Sequence, residues 1–258
     1  MPFKTEFAEE RQESILSLLK TKEKLLVNEL CDFYGVSSAT IRNDLNTLEK
    51  KGLLKRTHGG AIANLKIGFE ETSVQKFNVS TQEKVRIAER AESFIEDGDI
   101  IAIDTGTTTY ALAKMLSGKQ RLTVVTTDLR IANLLEGYKG VSLVIAGGTV
   151  RKGFGCTTGA IANSVLMQMN VDKVFMATNS VGLDGSLSTP DIEQAQIKKS
   201  LLRMGRQAFL LCDSTKFTAS SFAYFGNLSE IDCVITDTGI DPGILERIKA
   251  SGWHIEAV

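Results

Sequence analysis

Residues 35–61 read GVSSATIRNDLNTLEKKGLLKRTHGGA, and the order of turn, amphipathic helix and glycine-tipped hairpin in that stretch decides how the N-terminal part of the chain folds. Gly35 can take the positive φ that ends a preceding helix. Ser37 or Ser38 then offers a hydroxyl to cap the next one. Ile41, Leu45 and Leu48 fall at i, i+4 and i+7, one apolar stripe on a helix running to about Lys51. Its other face carries Ser38, Ala39, Thr40, Arg42, Asn43 and Asn46. After Gly52, two short strand-like runs flank Gly59 and Gly60, which can supply the positive φ of a tight hairpin. Upstream, Ile15, Leu18 and Leu19 mark a helix over about Glu9–Leu19, and a shorter one over about Val27–Tyr34 is expected to turn Leu30 and Phe33 inward.

A helix, a tight turn, a capped polar-faced helix and a basic hairpin, in this order, are the parts of a winged helix-turn-helix. The second helix of such a unit enters the major groove while its apolar stripe packs on the first. Arg42 suits a bidentate contact to guanine and Asn43 one to adenine, and the hydroxyls of Ser38 and Thr40 can reach phosphate. Lys55, Arg56 and His58 place donors on the wing. Taken alone, Arg42 and Asn43 would be read as an ordinary solvated helix face; the surrounding order of elements favours DNA. The formal net charge of the chain is −1 and gives no support, but residues 37–60 carry five cations (Arg42, Lys50, Lys51, Lys55, Arg56) against Asp44 and Glu49, a local net of +3.

With 43% hydrophobic and 24% charged residues, the 258-residue chain lies well inside the globular range, so a fold throughout is expected. Cys31, Cys156, Cys212 and Cys233 lie far apart and form no Cys/His cluster, and His58 has only the distant His254 as a companion, so no metal site, cofactor or disulfide is expected. No basic region followed by an apolar run opens the chain, and no stretch is apolar enough to span a membrane, which points to a cytoplasmic protein.

From Asn64 to Val79 periodicity weakens, which suggests an interdomain linker over 64–79 with a short structured stretch near Phe69. A helix over about Thr81–Asp97 follows, and then β-branched runs at Ile100–Ile103, Leu122–Val125, Val141–Ile145, Lys173–Met176, Ala208–Leu211 and Cys233–Ile235 alternate with helical patterns. Such alternation implies a largely parallel α/β sheet. Strand Ile100–Ile103 ends in Asp104-Thr105-Gly106-Thr107-Thr108-Thr109, with a helical pattern from Tyr110. Small residues, hydroxyls and a helix N-terminus invite a phosphate, although such loops also cap helices without binding anything. Gly147 and Gly148, with Arg151 behind them, follow strand Val141–Ile145, and Lys216 follows Ala208–Leu211. Ligands of open α/β sheets bind at this C-terminal strand edge, so these residues could converge on one anion. A carboxylate beside phosphate is repulsive, so Asp104 either binds sugar hydroxyls or braces the loop.

Residues 35–61 closely resemble the signature of DeoR-type bacterial repressors, and the resemblance extends through the segments DTGTTT, VVTTD, AGGTVR, STPDIEQAQIK and CDSTKF. It implies an N-terminal winged helix-turn-helix that binds double-stranded operator DNA and a C-terminal α/β sensor domain similar to ribose-5-phosphate isomerase that binds a phosphorylated sugar. Carried over residue by residue, it puts Ser37 beside the DNA-binding set above. It also puts phosphate at Gly106, Thr107, Thr108 and Thr109, and Thr126, Thr127, Gly147, Gly148, Glu193, Lys198 and Lys216 around the rest of the effector. One departure stands out: Asn179 lies where the isomerases carry an acidic pair and many family sensors an aspartate, and a carboxamide cannot act as a carboxylate base.

The expected organisation is a DNA-binding domain over 1–63, a linker over 64–79 and a sensor domain over 80–258. The expected function is that of a non-enzymatic regulator, a repressor of sugar metabolism that assembles as a homo-oligomer, a dimer or tetramer, because helix-turn-helix units read paired half-sites. Two competing readings are a sugar-phosphate isomerase-like enzyme in which Lys216, Glu193 and Asp213 do acid-base work, and an interaction module whose pocket has decayed.

Overall fold

A computed structural model describes residues 7–22, 24–63, 70, 72–77, 79–217 and 220–258. The chain divides into two compact units, residues 1–71 and 72–258.

In the first unit, α1 (Ala8–Thr21), β1 (Lys24–Leu26), α2 (Val27–Tyr34) and α3 (Ser38–Lys50) precede the hairpin β2 (Leu54–Thr57) and β3 (Gly60–Ala63). Gly35 ends α2 at φ 66°, and Ser37 caps α3 by accepting the Thr40 amide at 3.2 Å. Ile15, Leu19, Leu30, Ile41, Leu45 and Leu48 close around one small core. Phe33, expected inward, is 41% exposed; its ring stands edge-on to Tyr34, which takes the buried place. β1, a strand not expected from the sequence, pairs with β3, so the hairpin is the flank of a three-stranded sheet ordered β1-β3-β2. This gives the two wing glycines different duties. Gly59 takes φ 154°, whereas Gly60 has no positive φ: a Cβ there would meet the Leu25 carbonyl oxygen at 1.9 Å. Its missing side chain lets β1 and β3 approach.

The second unit opens with α4 (Ser73–Phe77), which falls inside the stretch read as linker; Phe69 lies outside the described residues. α5 (Thr81–Glu92) follows, shorter than the expected run to Asp97. There the carboxylates of Asp97 and Asp99 accept the amides of Gln120 and Glu96 at 2.9 and 2.8 Å, and so hold a loop instead. Then come β4 (Ile100–Ile103), α6 (Thr107–Lys114), β5 (Leu122–Thr126), α7 (Leu129–Leu135), β6 (Val141–Ile145), the short pair β7 (Thr149–Arg151) and β8 (Cys156–Thr158), α8 (Gly159–Leu166) and β9 (Val171–Met176). The chain continues through β10 (Ser180–Val181), β11 (Ser186–Thr189), α9 (Ile192–Met204), β12 (Gly205–Leu211), β13 (Ala223–Asn227), β14 (Cys233–Thr236), α10 (Pro242–Ala250) and β15 (Ile255–Ala257). α6 thus starts at Thr107, a turn before the expected Tyr110.

Seven parallel strands form one sheet in the order β15-β14-β12-β9-β4-β5-β6, and β10, β11 and β13 form a separate antiparallel sheet. Because strand residues alternate between faces, Ile101, Ile103, Phe175 and Phe209 pack one way with Ile87, Leu112 and Ile131. Ala102, Val174, Met176 and Leu210 pack the other way with Leu166, Ile197 and Leu201. A sheet buried on both faces explains the continuous apolar strands, and each fully buried large side chain contributes roughly 1.5–3 kcal/mol. No helix among the described residues is long and apolar enough to cross a membrane.

Candidate functional site

α3 is fixed to α1 by a buried ion pair: Arg11 Nε lies 2.6 Å from Asp44 Oδ2, and Gln12 donates to the other carboxylate oxygen at 3.0 Å. Asp44 sits beside the apolar stripe, so this contact sets which way the helix turns. Nothing local in the sequence marks it. On the opposite face Ser38, Ala39, Arg42 and Asn43 are exposed, and the side chains of Arg42 and Asn43 make no hydrogen bond among the described residues. Thr40 shares its hydroxyl with Ser37 at 2.9 Å. Asn46 and Arg56 are paired with each other through Oδ1 and Nη1, and the Arg56 amide donates to Glu49 at 2.8 Å. These two residues therefore tie the wing to α3, while Lys55 and His58 stand exposed on the hairpin with no side-chain hydrogen bond among the described residues. α3 and the wing thus both present exposed polar and cationic side chains.

In the second unit, most residues singled out from the sequence lie just past the C-terminal ends of the parallel strands β4, β5, β6, β9 and β12, while Arg151 ends β7 and Glu193 and Lys198 come from α9. Asp104 is fully buried. Its carboxylate accepts the amides of Thr105 and Ala177 at 2.8 and 3.0 Å and pairs with the ammonium of Lys198, which also donates to the Ala177 carbonyl at 2.8 Å. These contacts lock the end of β4 to the end of β9. Gly106 is extended and caps α6 with no side chain; a Cβ there would meet the Ala177 Cβ at 2.9 Å. Thr107, Thr108 and Thr109 form the first turn, whose amides have no acceptor within the helix. Such a turn can hold an anion.

Thr126 uses its hydroxyl on the Ile103 carbonyl at 2.7 Å and on the Asp128 amide at 3.1 Å. Thr127 Oγ1 is buried with no hydrogen-bond partner among the described residues, as is Nε2 of Gln194, a residue not singled out in the sequence. The Cys156 thiol donates to Gln194 Oε1 at 3.6 Å, and burial pushes that thiol up to about 11. Gly147 is open, while a Cβ on Gly148 would meet the Thr158 carbonyl oxygen at 2.5 Å. The Thr158 hydroxyl donates to Glu193 at 2.9 Å, and Arg151 lies 3.5 Å from Asp191 and over the Phe154 ring. Gly148, Arg151 and Glu193 thus belong to one neighbourhood. Lys216 follows β12, 3.7 Å from Asp213. Burial pushes the Asp213 carboxyl up, but Lys216, the Thr215 hydroxyl and Lys84 outweigh it and hold the group below its ordinary range. Asn179 accepts the Thr189 hydroxyl at 3.0 Å.

Two further groups lay hidden in the sequence. Asp128, the N-cap of α7, accepts Thr105 Oγ1 at 2.7 Å and Arg130 Nη2 at 2.8 Å on one oxygen. Parallel pairing of β14 with β15 also brings Cys233, His254 and Glu256 within 4.8 Å of one another, a grouping that chain spacing did not suggest. Both Glu256 oxygens, however, are taken by Arg90, at 2.5 and 3.0 Å, which sets a positive charge where a cation would sit.

The DeoR-like helix-turn-helix domain model matches residues 11–66, and the model of the DeoR C-terminal sensor domain matches residues 79–238. The chain is similar to the HTH-type transcriptional regulator GlpR of Haloferax volcanii, with 34% identity over 244 residues, 94% of this chain and 95% of that one. It is similar also to the lactose phosphotransferase system repressor of Lactococcus lactis, with 37% identity over 242 residues, 93% and 94% of the two chains. Among solved structures, a D-ribose-5-phosphate isomerase in complex with phospho-erythronic acid overlaps 54% of each chain at a TM-score of 0.41 and 18% identity. With both units matched in order and relatives aligned almost end to end, the chain belongs to the DeoR family of helix-turn-helix transcriptional regulators.

Proposed function

We propose that the protein represses a sugar-metabolism operon and that a phosphorylated sugar, bound at the C-terminal strand edge of the second unit, changes its hold on operator DNA. The names of its relatives support the sugar connection. The observation that carries the reading is the first turn of α6: three consecutive threonines beside a glycine cap, their amides free of intrahelical partners and held in place by the buried Asp104–Lys198 pair. Thr107, Thr108, Thr109 and Gly106 would take the phosphate, with Thr127, Gly147, Gly148, Arg151, Glu193 and Lys216 around the sugar, and Asp104, Thr126 and Lys198 bracing the loops that present them. On DNA, Ser38, Arg42, Asn43, Lys55 and His58 supply direct contacts, Ser37 and Thr40 order the start of α3, and Asn46 and Arg56 hold the wing at its angle.

Isomerase chemistry is disfavoured. By the resemblance, Asn179 falls where the isomerases carry an acidic pair, and a carboxamide cannot act as a carboxylate base, while Asp213 is paired with Lys216. The protein works in the cytoplasm as a homo-oligomer, since two helix-turn-helix units are needed to read paired half-sites. The test is a thermal melt of the full chain against pentose, hexose and glycerol phosphates, with operator titration alongside. A native-state ligand at a hundred times its Kd adds about 2.7 kcal/mol, so the cognate sugar phosphate should raise Tm and shift operator affinity. Thr107→Ala should lower its affinity about tenfold. No response to any phosphorylated sugar would overturn the effector assignment, and ribose 5-phosphate turnover abolished by Lys216→Ala would restore the enzyme.

A further inference from the structure

Helix α4 is the first element after the division between the two units, so it lies on the covalent path from the sensor to the DNA-binding unit. Its contacts are unusually specific for a five-residue helix. Ser73 donates through its amide to the Gly153 carbonyl at 3.3 Å and through its hydroxyl to the Phe154 carbonyl at 3.0 Å. The same Phe154 oxygen accepts Arg130 Nη2 at 2.8 Å. The Arg130 guanidinium also lies 5.1 Å from the Phe77 ring, and that ring stands edge-on to Tyr110 of α6 at 5.3 Å.

From Arg130 the connection runs inward. Its other bonds go to Asp128, whose carboxylate holds the hydroxyl of Thr105 in the loop between β4 and α6. Charge-assisted bonds of this kind are short, directional and stronger than neutral ones, so a shift of that loop is felt at the Phe154 carbonyl on which Ser73 rests. At the other end of α4, the buried ammonium of Lys84 donates to the carbonyls of Lys76 and Val79. Lys84 also acts on Asp213, the partner of Lys216. One end of α4 is therefore seated on the turn between β7 and β8, next to the proposed effector residue Arg151, and the other is held by Lys84 of α5, whose charge favours the Asp213 carboxylate that partners Lys216.

We infer that α4 is the strap through which effector binding reaches the DNA-binding unit, and that Arg130 is the positioning residue that links the Thr105 loop to it. The inference rests on the effector site proposed above. An effector drawing in the first turn of α6 moves Thr105 and Asp128. Arg130 then tightens or releases Phe154 and Phe77, and α4, which the covalent chain joins to β3 of the wing, gains or loses its seat.

The test is hydrogen exchange of residues 72–84 in the full-length protein, with calorimetry on the same samples, using ribose 5-phosphate, hexose 6-phosphates and inorganic phosphate as probes. In the parent, a bound sugar phosphate should change exchange in α4 by about tenfold, within the range of ordinary allosteric couplings. Arg130→Gln should bind that probe within about threefold of the parent while its exchange response falls below about twofold and operator affinity stops responding. Ser73→Ala, a milder change, should weaken the response in the same direction. Full coupling in both variants, or an unchanged α4 in a parent that binds the probe, overturns the strap. Lost binding in Arg130→Gln makes Arg130 an effector ligand and also overturns it. Calorimetry showing no probe bound to the parent removes the effector site itself, a failure separate from the others.

Discussion

The two units carry their candidate functional groups in opposite ways. In the first, a small core closes around Ile15, Ile41 and Leu45, and the residues proposed to meet DNA lie outside it with their side chains unspent: Arg42, Asn43, Lys55 and His58 hold nothing together. In the second, the candidates are among the groups that hold strand ends in place. Asp104 and Lys198 lock β4 to β9, and Thr126 binds the Ile103 carbonyl. A face that reads a long polymer can be added to a finished fold, whereas a pocket for a small anion must be enclosed by the fold, and its residues are drawn into the network that closes it. Function and stability should therefore separate in the first unit and mix in the second.

The largest expected effect lies in the second unit. Lys198→Met leaves the Asp104 carboxylate buried without its counter-charge, which should lower the stability of that unit by about 3–5 kcal/mol in urea unfolding. Arg42→Ala should move neither transition by more than about 0.5 kcal/mol. A Lys198→Met protein that unfolds like the parent would break the comparison.

A smaller effect sharpens it within the first unit. Gly60→Ala puts a methyl where the Leu25 carbonyl oxygen stands 1.9 Å away, so β1 and β3 must part. The cost should be about 1–3 kcal/mol, ahead of Gly35→Ala, where only the positive φ is strained, at about 1 kcal/mol. Equal losses would mean that β1 does not pack on the hairpin as described.

These pairs also mark what the sequence could disclose. The stripe of α3, the turn at Gly35 and the hairpin at Gly59 were legible because each is a short-range pattern with a local cause, and the strand ends bearing the threonines and glycines followed from alternation of elements. Phe33 departs from its expected inward position because a two-turn helix leaves the choice between adjacent aromatics to packing, and Tyr34 fills the core. The strand β1, the Arg11–Asp44 pair, the path from Thr105 through Asp128 to Arg130, and the meeting of Cys233 with His254 all depend on long-range register, which single residues do not advertise. The helical turn at Ser73–Phe77 falls in the expected linker because it is too short to show a period.

The smallest effect is electrostatic. The Arg90 hydrogen bonds hold the Glu256 carboxyl below its ordinary range, with burial opposing and Arg90's charge assisting. A carboxyl with a lowered folded pKa stabilises above its unfolded pKa, and that stability is lost as pH falls through the folded value. Glu256→Gln should therefore cost at most about 1 kcal/mol at neutral pH, because the pair is partly solvated, and the difference from the parent should fade on acidification through the carboxylate range. A gap that widens in acid would reverse the assigned sign.

The most direct test of the central claim, that the free polar face of α3 and the wing is the DNA-reading surface, is a titration of Arg42→Ala and Lys55→Ala against operator and scrambled duplexes at one fixed salt concentration. If Arg42 reads a base, its loss should weaken operator binding by about 1–3 kcal/mol and relax discrimination, while Lys55→Ala should weaken both duplexes about equally. Parent-like affinity for both duplexes in both variants would contradict the account.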